Sequence, residues 1–141
     1  MIVLVDAAIL LKAFVREPGQ DQAKALLTAG HDLVVPDVAF SELAALVAKK
    51  VDGGELTEEH GLYVLDSAPT FVRAVGLSGP LVRRAWEIGR LTGTSTTDGI
   101  YLAVADSLDI QLVTSDRVLA QKTQGTEWER RVVKLGAPLP N

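Results

Sequence analysis

The chain is predicted to be an α/β protein built on a mostly parallel sheet, and two observations predict it. Short apolar runs of β type alternate with longer segments of helical periodicity, and the first run, Ile2-Val3-Leu4-Val5, is apolar without interruption. A strand covered by helices on both faces reads that way, whereas a strand with one wet face alternates apolar with polar residues.

The elements follow in order. Residues 2–5 are the first strand, and residues 8–16 continue with helical spacing until Glu17-Pro18-Gly19 stops them. A second helix runs through Ala23, Leu26 and Leu27 to Gly30. Leu33-Val34-Val35 is the next strand, cut off by Pro36; Asp37 is placed to cap a long helix that reaches Val51 and ends at Gly53-Gly54. Thr57 is an N-cap for the helix opened by Glu58 and Glu59. Phe71 to Val75 is a short strand, and Pro80 sits in the first turn of a helix through Trp86 to Leu91, where proline is tolerated. Thr96 to Leu108 is helical, Gln111 to Thr114 a strand, Asp116 to Lys122 a helix and Arg131 to Leu135 a last strand. No repeat, linker or low-complexity stretch interrupts residues 1–141, so a single domain is expected.

Composition narrows the chemistry. With 48% hydrophobic and 23% charged residues the chain is globular rather than disordered. It has no cysteine, which excludes disulfides and thiolate metal sites, and only two histidines, which leaves little for a zinc enzyme. No apolar run is long enough to span a bilayer and Met1 leads straight into a strand pattern, so no membrane association and a cytoplasmic location are expected. The net charge of -4 opposes a general nucleic-acid binder unless the acids are concentrated in one cleft. Lys12, Arg16, Lys49, Lys50, Arg83, Arg84 and Arg117 are then available for a basic rim.

Four acids stand out. Asp6 ends the first strand, Asp116 follows the strand Gln111–Thr114, Asp98 opens a helix, and Glu42 lies on an apolar helix face with Val38, Ala39, Ala45 and Leu46. A charge in an apolar stripe is costly unless it is paired or binds a metal. In open parallel sheets ligands bind beyond the carboxyl ends of the strands, so all four can converge on one edge. Ordinary roles also fit: Asp6, Asp98 and Asp116 can serve helix N-termini, and Glu42 can pair with a buried arginine. Asp66 and Asp106 lie on partly apolar faces too, and Glu87 forms an ion-pair ladder with Arg83, Arg84 and Arg90. Thr96, Thr97 and Thr114 read as caps or strand residues, Tyr101 as core, and neither His31 nor His60 as a catalytic base.

Other chemistries leave no trace. The chain has no G-x-S-x-G elbow, Walker loop or Gly-rich dinucleotide fingerprint. Val5 and Ala7 flank Asp6 where a signalling receiver would carry adjacent acids, and Ala8 stands where a haloacid-dehalogenase-type phosphatase needs a second Asp.

At these residues the sequence resembles the PIN-domain family, in particular the VapC-type toxins of prokaryotic toxin–antitoxin pairs. The matching segments are Val5-Asp6-Ala7-Ala8 with Ile9-Leu10-Leu11-Lys12, Pro36 with Ser41-Glu42-Leu43, Thr97-Asp98-Gly99-Ile100-Tyr101-Leu102-Ala103, and Thr114-Ser115-Asp116-Arg117-Val118-Leu119. One position departs: the family usually has Ser or Thr where this chain has Ala8. The resemblance implies a three-layer sandwich with helices on both sides of the sheet, and a Mg²⁺- or Mn²⁺-dependent endoribonuclease. Asp6 and Asp98 are expected to ligate the ion directly, Glu42 to hold a second ion or its water, and Asp116 to complete the site, with Thr114 orienting Asp116. Clustered carboxylates should then show raised pKa values. The implied partners are RNA, a cognate antitoxin and a second copy in a homodimer. The rival expectation is a catalytically silent module that only binds an antitoxin-like protein or RNA.

Overall fold

A computed structural model describes residues 1–140. Five parallel strands form one sheet: β1 (Ile2–Val5), β2 (Asp32–Pro36), β3 (Arg73–Val75), β4 (Gln111–Thr114) and β5 (Val132–Lys134), in the spatial order β3-β2-β1-β4-β5. Seven α-helices connect them: α1 (Ala7–Lys12), α2 (Gln20–Thr28), α3 (Val38–Asp52), α4 (Glu58–Ser67), α5 (Gly79–Thr92), α6 (Thr96–Leu108) and α7 (Arg117–Thr123). The sheet is wholly parallel and sandwiched by helices, as expected.

The strand order explains the uninterrupted apolar run. β1 is the middle strand, so Val3, Leu4 and Val5 have no exposed surface and pack with Leu43, Ile88, Leu102 and Leu112. Fully burying each such side chain is worth roughly 1.5–3 kcal/mol. After β3 the chain returns past β1 to build β4 and β5 on the other side. The switch point therefore lies between β1 and β4, where the carboxyl ends of two neighbouring strands carry chain in opposite directions.

Four boundaries differ from expectation for local reasons. The first helix stops at Lys12 instead of residue 16, because the chain turns back there. Lys12 Nζ donates to Glu17 Oε1 and to the Pro18 carbonyl, each at 3.1 Å, and proline disfavours helix in the residue before it. Asp37 precedes α3 without a side-chain capping bond; it is helical itself, and its N–H pairs with Val75 O at 2.9 Å. β3 begins at Arg73 because Ala68–Phe71 forms a 3₁₀ turn. Glu129–Arg131 forms another, which moves the start of β5 to Val132. Thr57 does cap α4, accepting from His60 N at 3.0 Å.

One close contact sets the position of Asp98. α6 packs against α5 at Gly99, where an added Cβ would lie 2.1 Å from the Ala85 carbonyl oxygen. Only a residue without a side chain allows the two backbones to approach this closely.

Candidate active site

The site is built on the switch point. Asp6 leaves the carboxyl end of β1 and caps α1, its Oδ1 accepting from Ile9 N at 2.9 Å. Asp116 follows β4 and caps α7, its Oδ1 accepting from Val118 N at 2.9 Å and Leu119 N at 3.2 Å. The ordinary capping role is therefore present in both, yet it occupies one oxygen of each. Asp98 is no cap: Ser95 holds that place and accepts from Asp98 N at 3.1 Å. That leaves Asp98 in the first turn of α6 as a part-buried acid.

Thr114 sits between two of the acids. Its hydroxyl donates to Asp6 Oδ2 at 2.7 Å and accepts from the backbone N–H of Asp116 at 3.0 Å. The expected hydrogen bond between Thr114 and Asp116 is present, but it runs to the main chain of Asp116, while the hydroxyl proton goes to Asp6. Tyr101 is a residue that sequence reasoning placed in the core and missed. The ring is buried, but its hydroxyl donates to Glu42 Oε1 at 2.8 Å and accepts from Ala7 N at 3.3 Å. Tyr101 lies three residues after Asp98, on the same face of α6 and one turn deeper, which is the signal that could have revealed it.

Burial and like charge act on three of the four acids. Burial pushes Asp6 up to about 6, and the charges of Glu42 and Asp116 add to the effect against the hydrogen bonds from Thr114 and Ile9. Burial also raises Glu42, with Asp98 adding to it while Tyr101 opposes. Asp98 is raised by burial first and by Asp116 second. Desolvation, more than the expected mutual repulsion, is therefore the main cause. Among the described residues no Lys or Arg forms a salt bridge with any of the four. Lys122, whose charge partly offsets the raised Asp98, donates to the Gly93 carbonyl at 2.8 Å. Nor does Glu42 meet a buried arginine, since Arg131 pairs with Asp106 and Asp109.

The remaining candidates serve structure. Arg83 and Arg84 both bridge to Glu87, and Asp66 is exposed. Arg90 stacks on Trp86, outside the expected ladder. His60 is tied by Nε2 to the Phe14 carbonyl at 2.8 Å.

Residues 3–124 match the PIN domain. This chain belongs to the PIN-domain family. It is similar to ribonuclease VapC3 of Pyrobaculum aerophilum, with 27% identity over 124 residues that span 86% of this chain and 95% of the relative. Its fold is similar to that of a crystal structure from Pyrobaculum aerophilum, with a TM-score of 0.72 and 19% identity over 96% of this chain and 84% of that one. It is also similar to a toxin–antitoxin complex from Klebsiella pneumoniae, with a TM-score of 0.67 and 20% identity over 93% and 95% of the two chains. At these identities the two structures speak for the fold alone.

The donors of this PIN domain are all oxygens, which suits a hard divalent ion such as Mg²⁺ or Mn²⁺. A desolvated Asp6 without a basic partner is charge that a cation would neutralise. Among the described residues no three acids or histidines stand close enough to enclose an ion. Mg²⁺ sites commonly use one or two carboxylates, with water and substrate phosphate as the other ligands. Among those residues, no helix is long and apolar enough to cross a membrane.

Proposed function

We propose that this PIN domain is a divalent-metal-dependent endoribonuclease, the toxin of a toxin–antitoxin pair. The observation that carries the reading is that Asp6 and Asp116 leave the carboxyl ends of β1 and β4, joined through Thr114, with Glu42 tied to the start of α1 through Tyr101 and, among the described residues, no Lys or Arg salt bridge to Asp6, Glu42, Asp98 or Asp116. Asp6 and Asp98 would hold the ion directly, Glu42 would hold a second ion or its water, and Asp116 would complete the site. When bound, Mg²⁺ or Mn²⁺ would supply an acidified water and charge stabilisation for in-line displacement at phosphorus.

The chain's own residues do the positioning. Thr114 fixes the free oxygen of Asp6, and Tyr101 fixes Glu42 while binding the first N–H of α1. A side-chain nucleophile is not needed, which accords with a chain without cysteine and with His60 already committed. Ala8 removes the hydroxyl usual at that position, and Thr114 still gives Asp6 one hydroxyl donor. The kinship with ribonuclease VapC3 and the likeness to a toxin–antitoxin complex support an RNA substrate and an antitoxin partner, and the homodimer is proposed with them.

Cleavage of mixed single-stranded RNA with Mn²⁺, Mg²⁺ or EDTA, beside Asp98→Asn, tests the reading. Metal-dependent cleavage that the variant lacks is expected. Folded, antitoxin-free protein that cleaves under no metal would replace it with the silent binding module.

A further inference from the structure

We infer that Lys134 and Arg117 form a phosphate subsite that receives the RNA strand beside the scissile bond, on the β5 side of the acids. The inference rests on the ribonuclease reading and adds where the substrate lies.

Strand register places Lys134. It pairs with Thr114 across the β4–β5 ladder, and Leu135 N donates to Thr114 O at 2.9 Å. Neighbouring strands lie about 4.8 Å apart, and registered partners in a parallel pair project to the same side of the sheet. Lys134 therefore emerges one strand away from the hydroxyl that holds Asp6. Arg117 directly follows Asp116 in the chain.

Both residues line a cleft of about 550 Å³ that opens from Thr114, Ser115 and Asp116 towards Lys12 and Gly19. Lys134 and Arg117 are exposed and, among the described residues, have no salt bridge or side-chain hydrogen bond. Lys12, the third cation of the cleft, is bound to Glu17 and the Pro18 carbonyl.

Charge gives the subsite its purpose. RNA approaching four acids in a chain of net charge -4 is repelled at short range. Screening acts over about 8–10 Å, so only cations close to the acids can offset this. Two uncommitted cations in a cleft that starts at Asp116 meet that requirement. They contact phosphates, which position a strand without reading its sequence.

The experiment measures kcat and KM for cleavage of a short single-stranded RNA with Mn²⁺ across a salt series. It compares the wild type, the double variant Arg117→Ala/Lys134→Ala, and the charge-keeping Arg117→Lys/Lys134→Arg. A control, Lys24→Ala/Arg90→Ala, removes the same charge from exposed positions outside the cleft. The expected result is a KM about tenfold higher in the alanine pair with kcat within about twofold, and a salt slope of log kcat/KM shallower by roughly 1.4, at about 0.7 per single-strand phosphate contact. The charge-keeping pair and the control should follow the wild type. An alanine pair with wild-type KM and slope, or a control that changes as much, overturns the subsite while leaving the nuclease in place. A wild type that cleaves no RNA overturns the nuclease reading, and the subsite with it.

Discussion

The two ends of β4 handle negative charge in opposite ways. At its amino end, Asp106 and Asp109 at the close of α6 both bind the buried Arg131, and that pairing holds Asp109 below the usual carboxylate range. At its carboxyl end, Asp6, Glu42 and Asp98 are raised, mainly by burial, and among the described residues no basic side chain forms a salt bridge with them. The same strand thus separates compensated acids from uncompensated ones. Acids left desolvated without a partner mark a candidate functional site, and the proposed nuclease gives these acids a role.

The largest expected effect breaks this contrast directly. Asp98→Asn should lower RNA cleavage by about a thousandfold or more, since charge stabilisation worth several kcal/mol is removed at 1.36 kcal/mol per decade. Asp106→Asn should leave cleavage within about twofold; equal losses in matched assays would erase the distinction.

Stability against pH sharpens it. In EDTA, Asp6 binds its proton more tightly folded, near 6, than at its ordinary 3.8, so its contribution is full below pH 4 and declines as pH rises through 6. The decline is worth on the order of 3 kcal/mol at most. Asp109 acts in the opposite sense: its lowered pKa contributes stability at neutral pH that is lost on acidification. Urea midpoints between pH 3 and 8 should show the first decline in the wild type and a flatter curve in Asp6→Asn.

Metal should reverse that penalty. Mn²⁺ at about 100 times its Kd stabilises by roughly 2.7 kcal/mol, raising Tm by several degrees. Thr114→Val, which frees Asp6 Oδ2, should weaken Mn²⁺ affinity about 10- to 100-fold in calorimetry, with Tyr101→Phe milder. No thermal shift at millimolar ion would remove the metal from the site.

At the compensated end, Arg131→Met should cost about 1–3 kcal/mol by lost charged hydrogen bonds, without changing the response to Mn²⁺. The smallest effect is expected at the exposed α5 ladder, where Glu87→Ala should change the urea midpoint by less than about 0.5 kcal/mol of stability.

The sequence by itself determined the elements and which acids were anomalous. The apolar run Ile2–Val5, the prolines at 36 and 80 and the glycines at 53 and 54 are local signals, and local signals set strands, helices and their ends. Glu42 was legible because charge in an apolar stripe violates burial energetics wherever the helix goes. What only the tertiary structure decided depends on contacts between distant segments. Thr114 bonds Asp6 across 108 positions and Tyr101 bonds Glu42 across 59, and no residue pattern encodes such partners. Asp37 and the end of α1 were misread for the same reason: a backbone bond to Val75 and a lysine folded onto Glu17 replaced the local rule. The place of Lys134 beside Thr114 was decided only when β5 was laid beside β4, because register turns a residue far along the chain into a neighbour of the site.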